Sequence, residues 1–215
     1  MDKTVELVNK WAAFQEKHPG SSIEDFCRYS LTSSHQKQEL PGEFLGGVIP
    51  PHPQIILIKL IGRISKLHMV YINSVLERIG IRTFDEFLFL NAVNHLQHPK
   101  KTEVIYHNMT ELSTGLNIIN GLKELGFLDE YDDPTDKRSK RLKLTAKGSK
   151  TLKNCYSHFG KVSEMFFSGM AEEDVLLCIQ LLKNVEIRFS NLWQQHKGKS
   201  FEEIFAEITG GKLRL

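Results

Sequence analysis

Residues Gly126–Gly148 read GFLDEYDDPTDKRSKRLKLTAKG, and their pattern decides the fold. Two short alternating runs flank a polar turn: Phe127–Tyr131 leads in, Asp133-Pro134-Thr135-Asp136 turns, and Arg141–Thr145 leads out. On the outgoing run Leu142 and Leu144 point to one side while Arg141 and Lys143 point to the other, the two-residue period of a strand. The stretch predicts a two-stranded hairpin with a long charged tip. Its charges are segregated. Every charged residue from Lys137 to Lys150 is basic (Lys137, Arg138, Lys140, Arg141, Lys143, Lys147, Lys150), whereas Asp129, Glu130, Asp132, Asp133 and Asp136 precede them. A local basic block favours phosphate contact even in a protein whose net charge is only +2. Taken alone, it fits a solvated charged hairpin equally well.

Upstream, three helices are expected in succession. Thr83 or Asp85 opens the first, which carries Phe87, Leu88, Leu90 and Val93 and ends near His98-Pro99. A short helix runs from Thr102 to about Asn108, and another from about Leu112 to Leu125, where Gly126 suits the left-handed position past its end. In the last of these, Leu112, Ile118, Ile119, Leu122 and Leu125 supply an apolar anchor, and Ser113, Thr114, Asn117 and Asn120 a polar face. A helix-turn-helix lays such a helix in the major groove, where Asn can pair with adenine and Ser or Thr can meet bases or phosphates. A hairpin following directly, with Arg138 near its tip and Lys137 and Lys140 beside it, is placed as a wing that reaches the adjacent minor groove.

The stretch 126–148 resembles the wing signature of MarR-type regulators: a leucine-rich recognition helix ending in Gly, an acidic Asp-Pro-x-Asp turn, basic residues, and a closing Leu-x-Leu-Thr-x-x-Gly. The likeness extends more loosely over residues 54–194. It implies a mainly α winged helix-turn-helix with a two-stranded wing, a helical dimerisation region, and an N-terminal helical extension. Under it, 1–50 is the extension and linker, 54–80 and 146–194 the dimerisation region, 81–145 the DNA-binding lobe, and 195–215 a short helix and tail. The implied partners are double-stranded DNA, a second copy of the chain, and a small-molecule effector. Ser113, Thr114 and Asn117 fall on base-facing positions, Arg138 on the wing arginine, and Asp136 on the acid that shapes the wing. Lys137, Gly115, Leu116 and Gly121 depart from the family pattern, and each helical glycine costs about 1 kcal/mol against alanine.

The rest of the chain reads consistently with this. Residues 4–17 and a segment after Ser22 form amphipathic helices, and 31–53 is rich in Gly, Pro and Ser. Gln54 to about Gly80 carries two apolar rows, Leu57-Leu60-Ile64-Leu67-Tyr71-Val75 and Ile58-Ile61-Ile72-Leu76-Ile79. Such a helix either sits centrally or reaches into a partner subunit. Helices at 146–168, 171–194 and 201–208 follow, with Val175, Leu176, Ile179, Leu182 and Val185 on a buried stripe. Three widely spaced cysteines (Cys27, Cys155, Cys178), no long apolar run and no leader pattern at Met1–Val5 point to a cytoplasmic chain with no membrane association. Cys27 beside Arg28 is either a reactive thiolate or a small buried hydrophobe; Cys178 is expected to be structural. His95/His98 and Cys155/His158 each offer two metal ligands of the three or four a site needs, so no metal or other cofactor is expected. No catalytic motif points to an enzyme. The rival reading is a winged-helix protein-interaction module that does not bind DNA.

Overall fold

The structure, a computed structural model, describes residues 2–34, 42–136 and 138–211. These fall into two compact units divided between Ile49 and Pro50. In the first, α1 (Lys3–Lys17) and α2 (Ile23–Ser34) precede a single 3-10 turn, Phe44–Gly47. Ser22 caps α2 reciprocally: its hydroxyl accepts from the Asp25 amide at 3.2 Å while the Asp25 carboxylate accepts from the Ser22 amide at 3.0 Å. The two helices meet through aromatic rings, Trp11 edge-on to Phe26 at 5.3 Å and Phe14 against Tyr29 at 5.0 Å. Because Phe26 and Tyr29 face α1, position 27 turns away, and Cys27 is exposed rather than a buried hydrophobe.

The second unit runs α3 (Pro53–Ile79), α4 (Phe84–Leu96), α5 (Lys101–His107), α6 (Leu112–Glu124), β1 (Leu128–Asp132), β2 (Lys140–Leu144), α7 (Ala146–Phe167), α8 (Glu172–His196) and α9 (Phe201–Thr209). Local chemistry sets these boundaries. Pro53 opens α3, where its missing N–H is no loss, and Gly80 closes it at φ 81°. Thr83 accepts from the Glu86 amide at 3.2 Å to start α4, and Thr145 accepts from the Gly148 amide at 2.9 Å to start α7. The hairpin is antiparallel with Leu128 opposite Leu144 and Asp132 opposite Lys140. Pro99 O accepts from the Leu142 amide at 2.9 Å, and Lys100 bridges Arg141, so the segment before α5 flanks β2 on its outer side.

The core lies where α4, α5, α6, the hairpin and the first half of α7 converge. Phe89, Leu90, Val104, Ile105, Ile119, Leu122, Leu142 and Cys155 are sealed there, with Ile72 and Leu76 from the end of α3. Burial pushes the Cys155 thiol up to about 11, so it is inert packing. The first turns of α3 do not join this core. Leu57, Ile58, Ile61, Ile64, Leu67 and Tyr71 are exposed, so neither apolar row is buried along its length within one chain. Nor is the stripe on α8: that helix has no buried residue, and Leu176, Ile179 and Val185 stand in solvent. Cys178, expected to be structural beside that stripe, is exposed for the same reason. Among the described residues no helix is long and apolar enough to cross a membrane.

One backbone contact joins the hairpin to α7. The carbonyl of Phe127 accepts from the Thr145 amide at 3.0 Å, and a β-carbon on Gly148 would overlap that same carbonyl. Gly148→Ala is therefore expected to cost about 1–3 kcal/mol as the helix start is forced off the strand, read as a lower urea midpoint at unchanged slope.

Candidate nucleic-acid interface

Helix α6 is held against α5 at a backbone-close crossing. A β-carbon on Gly115 would sit 2.5 Å from Ile105 Cγ1, so this glycine sets how near the two helices approach. Gly121 leaves room for the Arg82 guanidinium, which pairs at 2.6 Å with the buried carboxylate of Glu86. Both glycines looked like helix-weakening departures in the sequence. In the fold a side chain at position 115 would collide with Ile105, and one at position 121 would displace the Arg82 guanidinium.

With Gly115, Ile119 and Leu122 buried, the opposite face of α6 is solvent-facing. Ser113, Thr114, Asn117 and Asn120 are all exposed there, and Ser113, Asn117 and Asn120 fall in one row at helical spacing. None of these four side chains has a hydrogen-bond partner among the described residues. A helix surface of small, unoccupied donors and acceptors is free to bond to base edges. Leu116 is half-buried and packs on the core.

The hairpin leaves α6 directly, Phe127 N donating to Leu122 O at 2.9 Å. Its loop is organised by Asp133, one of two buried acidic residues in the described chain, the other being Glu86. The Asp133 carboxylate accepts from the Thr135 hydroxyl at 2.7 Å, the Thr135 amide at 2.8 Å and Arg141 Nε at 2.8 Å. Arg141 Nη1 continues to the His98 carbonyl at 2.8 Å, tying the hairpin to the segment before α5. Asp136, at the exposed tip, accepts from the Arg138 amide at 3.1 Å, and its carbonyl accepts from the Ser139 amide at 2.9 Å. Arg138 is exposed, and its guanidinium has no partner among the described residues. Lys137 lies outside the described residues.

The segregated charges seen in the sequence meet across the two strands. Lys140 pairs with Asp132, Lys143 with Asp129 at 4.0 Å, and Glu130 takes Lys101 at 3.0 Å together with Lys123. The basic arm is thus largely balanced by its acidic neighbour. Exposed pairs such as Lys140–Asp132 are worth only about 0–1 kcal/mol, so a phosphate can exchange for the carboxylate. The structure gathers the four α6 residues on one face, while Arg138 and Lys140 sit apart from them on the hairpin. The sequence marked Asp133 and Arg141 only as charged residues of the hairpin, not as the pair that organises its loop. The Asp-Pro-Thr start of the turn was the available signal, since Asp readily bonds the backbone two residues on.

The histidine and cysteine pairs do not assemble a metal site. His95 stacks towards His107 at 6.0 Å, His98 Nδ1 meets the Tyr131 hydroxyl at 2.8 Å, and Cys155 is buried while His158 bonds the Asn154 carbonyl. Among the described residues no three ligating groups cluster.

The hydrogen bonds from the Thr135 hydroxyl and amide, with the Arg141 guanidinium, hold the Asp133 carboxyl at about 2, against an ordinary 3.8. A depressed carboxyl stabilises the fold above its unfolded value, and that stabilisation is lost as pH falls through the folded one. The wing should therefore keep its geometry down to about pH 4 and loosen between about pH 4 and 2. In an NMR titration the Thr135 amide should move with a midpoint near 2. A midpoint at the ordinary Asp value would contradict the lock.

Comparison with known proteins places this geometry. Residues 83–148 match the family described as winged helix DNA-binding domain. No curated protein sequence matches the chain. Among solved structures, a mutant MarR from E. coli complexed with operator DNA superposes with a TM-score of 0.57 at 22% identity, covering 64% of this chain and 99% of that one. The PcaV transcriptional regulator from Streptomyces coelicolor, with its natural ligand, gives 0.54 at 20% identity, covering 65% and 96%. Bordetella bronchiseptica BpsR, whose DNA binding is regulated by 6-hydroxynicotinic acid, gives 0.54 at 18%, covering 60% and 98%. Residues 83–148 are thus similar to a winged helix DNA-binding domain, and the fold over about three fifths of the chain is similar to that of solved MarR-type regulators.

Proposed function

We propose that this winged-helix chain is a cytoplasmic, homodimeric transcription regulator, acting as a repressor, that binds a pseudo-palindromic operator and responds to a small-molecule effector. The observation that carries this reading is the polar face of α6, exposed and unpartnered at Ser113, Thr114, Asn117 and Asn120, on the helix from which the hairpin bearing Arg138 emerges. In this reading α6 enters the major groove, and Asn117 and Asn120 meet base edges. Arg138, with Lys137 and Lys140, enters the flanking minor groove, where negative potential is enhanced. Asp136 keeps the tip in the conformation that presents Arg138.

The dimer is supported by apolar surface that one chain leaves open. Ile58, Ile61 and Ile64 on α3 and Leu176, Ile179 and Val185 on α8 are exposed. Exposed rows of large apolar side chains of this kind mark association sites. Two copies joined there carry two winged lobes, and a dimer of this kind meets half-sites about one helical turn apart. An effector acts by binding one spacing of the lobes more tightly than another. Ile58→Glu and Ile179→Glu should each shift the chain from dimer to monomer in sedimentation velocity; dimers that persist in both would place the interface elsewhere.

The second reading, a winged-helix module that binds protein instead of DNA, draws on the cross-strand pairing of Lys140 with Asp132 and Lys143 with Asp129, which leaves the wing little net charge. Fluorescence anisotropy on random duplex DNA separates the two. DNA binding gives a steep fall of log affinity with log salt, and Arg138→Ala should weaken binding and flatten the slope by about 0.9. Asn117→Ala should leave random-sequence affinity nearly unchanged but relax operator discrimination by about 1–3 kcal/mol. Absence of salt-dependent binding would favour the interaction module.

A further inference from the structure

Between α5 and α8 lies a groove of about 730 Å³, continued by a second of about 720 Å³ that reaches the start of α9. Met109, Glu186, Ser190 and Trp193 line both, so the two form one continuous trough. Each has the size of a small-molecule site. Tyr106 supplies aromatic wall at one end, Phe189 at the other, and Trp193 along both. Met109, in the turn between α5 and α6, stands at the junction with a left-handed backbone, φ 50°.

The charge of this trough is negative. Glu103, Glu111 and Glu186 line it against a single lysine, Lys197, which is already paired with Glu111 at 2.8 Å. Glu186 accepts only from the Ser190 hydroxyl, at 2.6 Å, and Glu103 from the Lys100 amide, at 2.7 Å. Neither carboxylate has a cationic partner among the described residues. At the far end His196 Nε2 is sealed from solvent without a hydrogen bond, its nearest acid being Glu207 at 3.8 Å.

Two uncompensated carboxylates beside aromatic faces select an organic cation: the carboxylates attract it, and the electron-rich face of an indole attracts it further. An anion would meet three carboxylates, and an uncharged ligand would make no use of them. We propose that the trough binds a small aromatic organic cation through Glu186, Glu103 and Trp193, and that this is where the effector of the proposed regulator acts. One wall belongs to α8 and the other to α5 and the turn that leads into α6. A ligand filling the trough therefore sets the separation between α8 and the DNA-binding lobe. This effector role rests on the regulator reading; the binding itself does not.

The chain has two tryptophans, so Trp11→Phe leaves Trp193 as the only indole. In that protein, benzyltrimethylammonium should quench Trp193 fluorescence saturably, and benzyl alcohol and benzoate should bind at least about tenfold more weakly. Glu103→Gln with Glu186→Gln should lose the cation by about tenfold or more at unchanged melting temperature. Equal affinity for the three probes, or a double variant that binds as well as its parent, would overturn the site. Anisotropy on random duplex DNA is run on the same protein with and without the probe. Cation binding without DNA binding overturns the regulator reading and leaves the site standing; DNA binding without selective cation binding does the reverse.

Discussion

A carboxylate taken out of water must find donors or leave its charge uncompensated, and Asp133 finds three within 2.8 Å. The rest of the interface depends on that. The Thr135 hydroxyl and amide fix the loop, and Arg141 carries the constraint on to the His98 carbonyl, so the hairpin is pinned to the segment that opens α5. The same segment bonds β2 from outside through Pro99. The tip that presents Arg138 is therefore built on a fixed base rather than hanging from two strands. Arg141, read from the sequence as one more cation on the solvent side, spends its charge inside the fold.

Electrostatics in the hairpin follow a similar economy. The acidic run and the basic run look opposed in the sequence, yet antiparallel pairing lays one along the other, as Asp132 faces Lys140 and Asp129 faces Lys143. Opposite charges directly across strands favour this register over its neighbours. The block therefore sets strand alignment first, and under the proposed function it offers cations to a duplex only where exposed pairs can be exchanged. Arg138, beyond the paired stretch, is a cation that starts uncommitted among the described residues.

What the sequence made legible was governed by short-range rules. The hairpin, the helix order around it, the Thr83 and Ser22 caps and the left-handed glycine at Gly126 follow from spacing and capping chemistry, and the helices fall within a residue or two of where periodicity put them. The exposure of Ser113, Asn117 and Asn120 was equally readable, because Ile119 and Leu122 dictate which side is buried. What could not be read was long-range. Gly115 and Gly121 seemed to weaken α6 until the Ile105 and Arg82 side chains filled the space. Asp133 and Asp136 differ by three positions in one acidic run, and only the fold decides which is buried. The stripes on α3 and α8 were correctly seen as apolar, but periodicity cannot say whether a stripe is covered by its own chain.

Those uncovered stripes bear on how the molecule holds together. Ile58, Leu176 and Ile179 keep more than half of their surface in water while the chain is alone, so part of the hydrophobic free energy encoded in the sequence is not yet realised. Whatever covers them adds its stabilisation by mass action. The thermal midpoint is then not a constant of the chain but a function of how much of the covering surface is present, and it climbs as that concentration rises.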